Sequence, residues 1–145
     1  MSEELVIRRV FAAPPERVWA AWTDPDQLVR WWGRRGWDID PATLVMDVRP
    51  GGAFRHTSVH AATGATMEHD SVYTAVEPPH RLAFASAASD GEVTFSATAD
   101  GGTEMVFRAV VDMPDALRER AVGGMQSSYD RLAELVVHDH QEEHA

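Results

Sequence analysis

Between residues 42 and 112 the chain alternates apolar and polar with period two, cut at short intervals by "RPGG", "ATGA", "EPPH", "SDGE" and "ADGG". That period sends successive side chains to opposite faces of a strand, and clusters of Gly, Pro and Asp separate one strand from the next. The stretch therefore reads as six strands in an antiparallel meander. After Pro114 the period lengthens to that of a helix, and Met125, Tyr129, Leu132 and Val136 make one apolar stripe. A sheet with one apolar face and a helix with one apolar stripe must cover each other, which removes most other architectures.

The residues before the meander add a strand and two short helices. "ELVIRRVFAA" alternates and is rich in β-branched residues, so Glu4 to Phe11 is expected as a strand. "PPERVWAAW" puts prolines where a first helical turn tolerates them, and Val18, Ala21 and Trp22 share a face. A second helix restarts at "TDPDQLVRWWG", with Asp24 as cap, Gln27 at capping-box spacing and Gly33 as its stop. The Gly123-Gly124 pair inside the last helix marks a bend or a close approach to another element. The expected order is βααβ6α, an α+β arrangement with a curved, antiparallel, seven-stranded sheet wrapped around a long C-terminal helix. A length of 145 residues suits one domain, with a core over 4–137 and a frayed tail over 138–145.

Composition restricts the chemistry. A formal net charge of −10 argues against nucleic acid and against an anionic membrane surface. No cysteine is present, which removes disulfides, thiol nucleophiles and thiolate ligands. All thirteen basic side chains are arginine, so lysine Schiff-base catalysis is excluded. The start "MSEELVIRR" has no apolar run of signal-peptide type, and no segment approaches the ~18 apolar residues of a membrane span. A cytoplasmic location is the resulting expectation.

Four segments in order, "IRRVFAAPPERVWAAWTDPDQLVRWWG", "MDVRPGGAFR", "VYTAVEPPHRLAF" and "GGMQSSYDRLAEL", resemble the family of activators of the ninety-kilodalton heat-shock-protein ATPase, within the START-like (SRPBCC) superfamily. The resemblance runs from about Leu5 to Val136 and implies a helix-grip fold with an apolar cavity between sheet and long helix. It also implies many functions: members bind lipids, steroids, hormones or polyketides, some cyclise or hydroxylate, and eukaryotic relatives act as co-chaperones. Ser71 stands where such proteins often have glycine, and Met125 where the last helix often carries tryptophan. These departures imply a different sheet bend and a wider pocket wall.

The chemistry-bearing residues concentrate in "RHTSVHAATGATMEHD", residues 55 to 70. A four-residue loop "AATG" with Gly64 at positive φ pairs His60 with Ala65, and then His56 with His69, Arg55 with Asp70 and Phe54 with Ser71. Directly opposed residues share a face. Phe54, His56, Ser58, Met67, His69 and Tyr73 are thus expected on the concave side, with Arg55, Thr57, Glu68 and Asp70 outside and His60 at the hairpin mouth. The next turns extend this into an aromatic row, Tyr73–Phe84–Phe95–Phe107, each residue opposite the next.

Two histidines supply two ligands where a zinc site needs three or four, and "HDH" at His138–His140 lies in the tail, so neither metal nor cofactor is expected. Neutral imidazoles could instead move protons on a bound hydroxyl or carbonyl, as in a cyclase or hydrolase, with His56 and His69 the catalytic candidates. The favoured expectation is a binding site for a small apolar or amphipathic molecule. His56, His69 and Tyr73 are its anchors, with Trp32, Phe54, Phe84, Phe95, Phe107, Met125 and Tyr129 around them. Of Trp31 and Trp32, one should wedge the short helices against the sheet and the other cover the mouth. The bland alternative is that the aromatics fill the core and the histidines satisfy each other or a buried water. Small residues on the outer sheet face (Ala83, Ala85, Ser96) are compatible with a homodimer, and a chaperone partner is a further alternative that the resemblance allows.

Overall fold

The computed structural model describes residues 3–87 and 90–143, with the side chains of Glu3 and of 138–143 outside the description. Strand β1 (Glu3–Phe11) leads into helix α1 (Pro15–Thr23), and the single turn α2 (Pro25–Leu28) follows at once. Asp24 caps that turn: its carboxylate accepts from the Asp26 N–H at 3.1 Å and from the Gln27 side-chain amide at 2.9 Å. The helix stops at Leu28, short of the expected Gly33. The reason lies in the chain beyond it. Trp31 turns into the core and donates its indole N–H to the Ala21 carbonyl at 2.9 Å, while the carbonyls of Arg30, Trp31 and Gly33 accept bonds from the C-terminal helix instead of continuing their own.

Short strands β2 (Trp37–Ile39) and β3 (Val45–Met46) flank a 3-10 turn at Pro41–Thr43. The long strands are β4 (Ala53–His60), β5 (Thr66–Glu77), β6 (Arg81–Ser86), β7 (Asp90–Ala97) and β8 (Thr103–Val111). Helix α3 (Asp115–Glu143) closes the order. Every strand pairing is antiparallel, and the eight-stranded sheet runs β1-β8-β7-β6-β5-β4-β2 with β3 on β4. The strand beyond the expected seven is β2, three residues long and so too short to show a period in sequence. The backbone of α3 continues to Glu143, and the "HDH" side chains fall outside the described residues.

The hairpin register follows the sequence reading. His56 stands opposite His69, Arg55 opposite Asp70 and Phe54 opposite Ser71, with the His60 N–H bonded to the Ala65 carbonyl at 2.8 Å. Gly64 takes φ of +74°, as the loop demands. Tyr73 stands opposite Phe84, but a bulge between Tyr73 and Ala75 is needed to bring them level, because β5 and β6 pair up to Glu77–Arg81. The aromatic row breaks beyond that point. Phe84 faces Gly91 rather than Phe95, and Phe95 faces Met105 rather than Phe107, whose partner is Val93. Asp90 and Gly91, expected to turn, already belong to β7. Both slips are even in residue number, so every aromatic keeps its face although its neighbour changes.

The core lies between the concave face and the three helices. Leu5, Ile7, Phe11, Val18, Trp22, Trp31, Phe54, Tyr73, Phe95, Met105, Tyr129, Leu132 and Val136 are all buried in it. The "RPGG" segment makes the expected tight turn: Gly51 has φ of +85° and bonds to the Tyr73 carbonyl at 2.7 Å. A Cβ on Gly52 would collide with the Asp47 carbonyl. Gly124 is the close approach foreseen in α3, since a Cβ there would meet the Arg34 guanidinium, whereas Gly123 faces open space.

Candidate functional site

Cross-strand pairing of β4 with β5 brings the two imidazoles together. Their ring centroids are 4.8 Å apart and their planes differ by 8°, a parallel stack. His56 is 4% exposed, and His69 is half-buried. Two further rings flank them. Phe54 lies 5.4 Å from His56 and 4.9 Å from His69, and Trp32 stands edge-on to both at 5.5 Å. Phe54 also stacks on Tyr73 at 5.4 Å.

The hydrogen bonds here are unevenly distributed. The Ser71 hydroxyl donates to the Phe54 carbonyl at 3.2 Å, and its oxygen lies 2.9 Å from His69 Nε2. A hydroxyl has one proton to give. With that proton on the carbonyl, the His69 contact is satisfied only when Nε2 carries the hydrogen and donates to Ser71 Oγ. His69 therefore sits as the Nε2–H tautomer, held by its neighbour two residues along the same strand. His56 has no such partner. Among the described residues the buried side-chain polar atoms without a hydrogen bond are His56 Nδ1, His56 Nε2, Tyr73 OH and Trp22 Nε1. An unpaired buried polar group costs about 1–3 kcal/mol.

Burial sets the charge state. The His56 pKa is held down to about 4, first by loss of solvent and second by the neighbouring His69. That of His69 is also lowered by burial, with Asp70 acting in the opposite sense. Burial pushes Tyr73 above the ordinary phenol value, helped by the negative charge of Asp47, and pushes Tyr129 up as well. At neutral pH the patch is uncharged: two neutral imidazoles, one phenol and the serine hydroxyls of Ser58 and Ser71. Arg55, Glu68 and Asp70 are exposed, and their alternate positions in the strands put them on the outer face.

The tryptophans divide the work. Trp31 is 1% exposed and wedged against α1, with Trp22 at 4.8 Å, while half-buried Trp32 lies over the histidines. The segment carrying Trp32 is fastened to α3. Ser128 Oγ donates to the Trp31 carbonyl and accepts from the Gly33 N–H, both at 3.0 Å. Ser127 Oγ accepts from the Arg35 N–H at 3.0 Å. Arg131 donates to the carbonyls of Arg30, Gly33 and Trp37 and to the Asp38 carboxylate at 2.7 Å. None of these fasteners was expected from sequence. The available signal was two serines followed three residues later by an arginine, small polar groups on the helix face next to the tryptophans.

The other expected wall residues lie at varying removes. Phe84 reaches Phe54 at 6.4 Å, and Phe107 reaches Phe84 at the same distance. Phe95 and Tyr129 pack on Trp22, at 6.2 and 6.3 Å, and Trp22 in turn lies 5.8 Å from Trp32. Met125 packs on the core while half-buried. His60 stands apart at the hairpin end, against Trp37 at 5.0 Å. Among the described residues no third His, Asp or Glu joins the stacked pair in a cluster able to hold a metal ion. No helix among them is long and apolar enough to cross a membrane.

A curved antiparallel sheet closed by a long C-terminal helix, with a small polar patch set among aromatic rings, defines a helix-grip protein. Residues 12–137 match the model of the family described as "Activator of Hsp90 ATPase homolog 1-like protein", and the chain belongs to that family. Solved structures agree. A Chromobacterium violaceum protein is similar at 29% identity and TM-score 0.80, over 92% of this chain and 96% of its own. The AHSA1-like protein from Aeromonas hydrophila is similar at 25% identity and TM-score 0.79, over 99% and 97%. A Nitrosomonas europaea protein, at 22% identity and TM-score 0.81 over 95% and 96%, shares the fold. No curated protein matches the chain.

Proposed function

We propose that the protein binds a small apolar or amphipathic molecule between the sheet and α3, with His56, His69 and Tyr73 as its polar anchors. The observation that carries this reading is the set of buried, unpartnered atoms at His56 and Tyr73, both on the concave face and both beside Phe54. Core packing alone does not account for them, since an imidazole that only filled space would be replaced by Phe at no loss of hydrogen bonds. A ligand group that bonds them removes the cost. Trp32, half-buried over the pair, is the side by which a molecule reaches it.

The test is a thermal-shift and titration screen of lipids, steroids and aromatic polyketides on the intact chain. Binders should raise the melting temperature, and His56→Ala or His69→Phe should change which compounds do so. A flat response across the whole panel overturns the reading and leaves the protein-interaction role named in the family description as the alternative.

A further inference from the structure

We infer that the open edge of β1 pairs with the same edge of a second copy of this chain, continuing the sheet across a two-fold axis with Glu4 opposite the partner's Arg8. The contact is separate from the site beneath α3. β1 ends the sheet: β8 lies on one side of it, and among the described residues no strand takes the other. The opposite end of the sheet is blunted by β2 and β3, three and two residues long. β1 runs for nine residues with neither proline nor bulge. A long regular edge of that kind is a template for another strand.

Two hydrogen bonds fix which groups β1 leaves open. The Phe95 N–H bonds the His80 carbonyl at 2.8 Å, on the β6 side of β7, and the Thr98 N–H bonds the Gly102 carbonyl at 3.0 Å, on the β8 side. Along an antiparallel strand, successive residues turn their main-chain groups to alternate sides. Ser96 therefore turns toward β8, and Glu104 opposite it turns back toward β7. It follows that Thr103, Met105, Phe107 and Ala109 turn toward β1 and engage Phe11, Arg9, Ile7 and Leu5. The N–H and C=O groups of Glu4, Val6 and Arg8 are left facing away from β8, and no described main-chain group bonds them.

Charge selects both the partner and the register. The edge reads "EELVIRR", acidic at one end and basic at the other, so it complements itself when reversed. A two-fold pairing must set open residue against open residue, which leaves Val6, Ile7 or Arg8 on the axis. With Arg8 there, like charges meet. With Ile7 there, Glu4 meets Val10 and Arg8 meets Val6, so no charge is answered. With Val6 there, Glu4 meets Arg8 twice, Leu5 meets Ile7, and Val6, 42% exposed in one chain, meets its counterpart. Opposed residues share a face, where opposite charges attract. Glu4 already accepts from Arg108 at 2.9 Å, and Arg8 lies 3.6 Å from Glu104, so the pairing joins two short ion pairs into one alternating row. Arg9 does not obstruct it, because Gln126 and Asp130 of α3 hold its guanidinium.

Sedimentation of the intact chain over a rising concentration series tests the pairing, the dimer having twice the 16.0 kDa of one chain. One strand pair makes a small interface, so the dissociation constant should be on the order of tens of micromolar. Arg8→Glu alone and Glu4→Arg alone should each weaken the dimer about tenfold, since each sets like charges against each other at both positions. An equimolar mixture of the two variants should restore it, because one chain then offers only acids and the other only bases. In the unmodified dimer, amide exchange should slow at Val6 and Arg8 and stay unchanged at Leu5 and Ile7, which β8 engages in either state. A chain that stays monomeric up to about 1 mM overturns the proposal. So does a dimer that leaves exchange at Val6 and Arg8 unaltered, one that neither substitution weakens, or a pair of variants that fails to recombine. The measurements on the unmodified chain decide the matter even if a variant does not fold.

Discussion

His56 and His69 stack face to face, 4.8 Å between centroids and 8° between planes, one sealed in the core and the other at its rim. Two imidazoles at that distance repel when both are protonated, and burial already disfavours the first proton. The stack is therefore built for the neutral state of both rings, and the fold depends on their staying neutral. The two titrations are coupled, so the protons belong to the pair rather than to either ring alone.

Acid should destabilise the fold through this pair. His56 has a folded-state pKa of about 4 against 6.5 for a free imidazole. Between those values the unfolded chain takes up a proton that the folded chain refuses, so stability falls as pH falls. Its contribution is fully present above pH 6.5, is lost progressively toward pH 4 and levels off below, a loss of roughly 3 kcal/mol for a single group shifted this far. His69, lowered in the same direction, adds to the slope. Urea unfolding between pH 8 and pH 4 measures it, and His56→Phe should flatten the decline. An equal slope in that variant would clear His56 of responsibility.

Ser71→Ala should free the His69 ring. The hydroxyl accepts from Nε2–H while donating to the Phe54 carbonyl, so its removal leaves both groups without that partner. About 1 kcal/mol of stability should go, and the imidazole should redistribute between its two neutral tautomers. Nitrogen chemical shifts of His69 report this directly: one tautomer in the unmodified protein, a mixture in the variant. Retention of a single Nε2–H tautomer without Ser71 would show that another group fixes it.

What could be read from sequence depended on whether a residue's local chemistry had one use or two. Gly64 is a turn glycine, and its positive φ set the β4–β5 register that puts His56 against His69. Gly91 looks the same in sequence but lies inside β7, opposite Phe84, where a Cβ would press on Phe84 at 3.2 Å and on Phe107 at 3.4 Å. It is needed for side-chain room rather than for a turn, and composition does not distinguish the two uses. The faces survived that error because strand alternation is insensitive to an even slip. The fastening of the Trp32 segment lay further out of reach. Arg131 and Gly33 are 98 residues apart, and their bond exists only once sheet and helix have met.

Arg131, a half-buried side chain on α3, should prove costly to lose. Its guanidinium satisfies three backbone carbonyls, of Arg30, Gly33 and Trp37, besides Asp38. Arg131→Met keeps the aliphatic stem but leaves those acceptors to water, with an expected loss of about 2–3 kcal/mol. Arg131→Lys should rescue little, because an ammonium cannot span the same fan of acceptors. Amide hydrogen exchange across residues 30–38 should accelerate more than exchange in the β7–β8 pair. Uniform acceleration throughout would mean that Arg131 supports the whole fold and not this segment.

The adjacent glycines of α3 should respond differently to alanine. A Cβ at Gly123 meets nothing within 4 Å, so Gly123→Ala gains helix propensity at no steric cost. The expected gain is about 0.5–1 kcal/mol, or a rise of a few degrees in melting temperature for a chain of this size. At Gly124 the new Cβ would come within 2.5 Å of Arg34 Nη2, and Arg34 must give up its bond to the Arg120 carbonyl to make room. Arg34 is exposed and flexible, so it can move, and the propensity gain is offset rather than reversed. Thermal unfolding should rank Gly123→Ala above Gly124→Ala, with the latter near the unmodified protein. A larger gain at Gly124 would mean that the Arg34 contact contributes nothing to holding the Trp32 segment on α3.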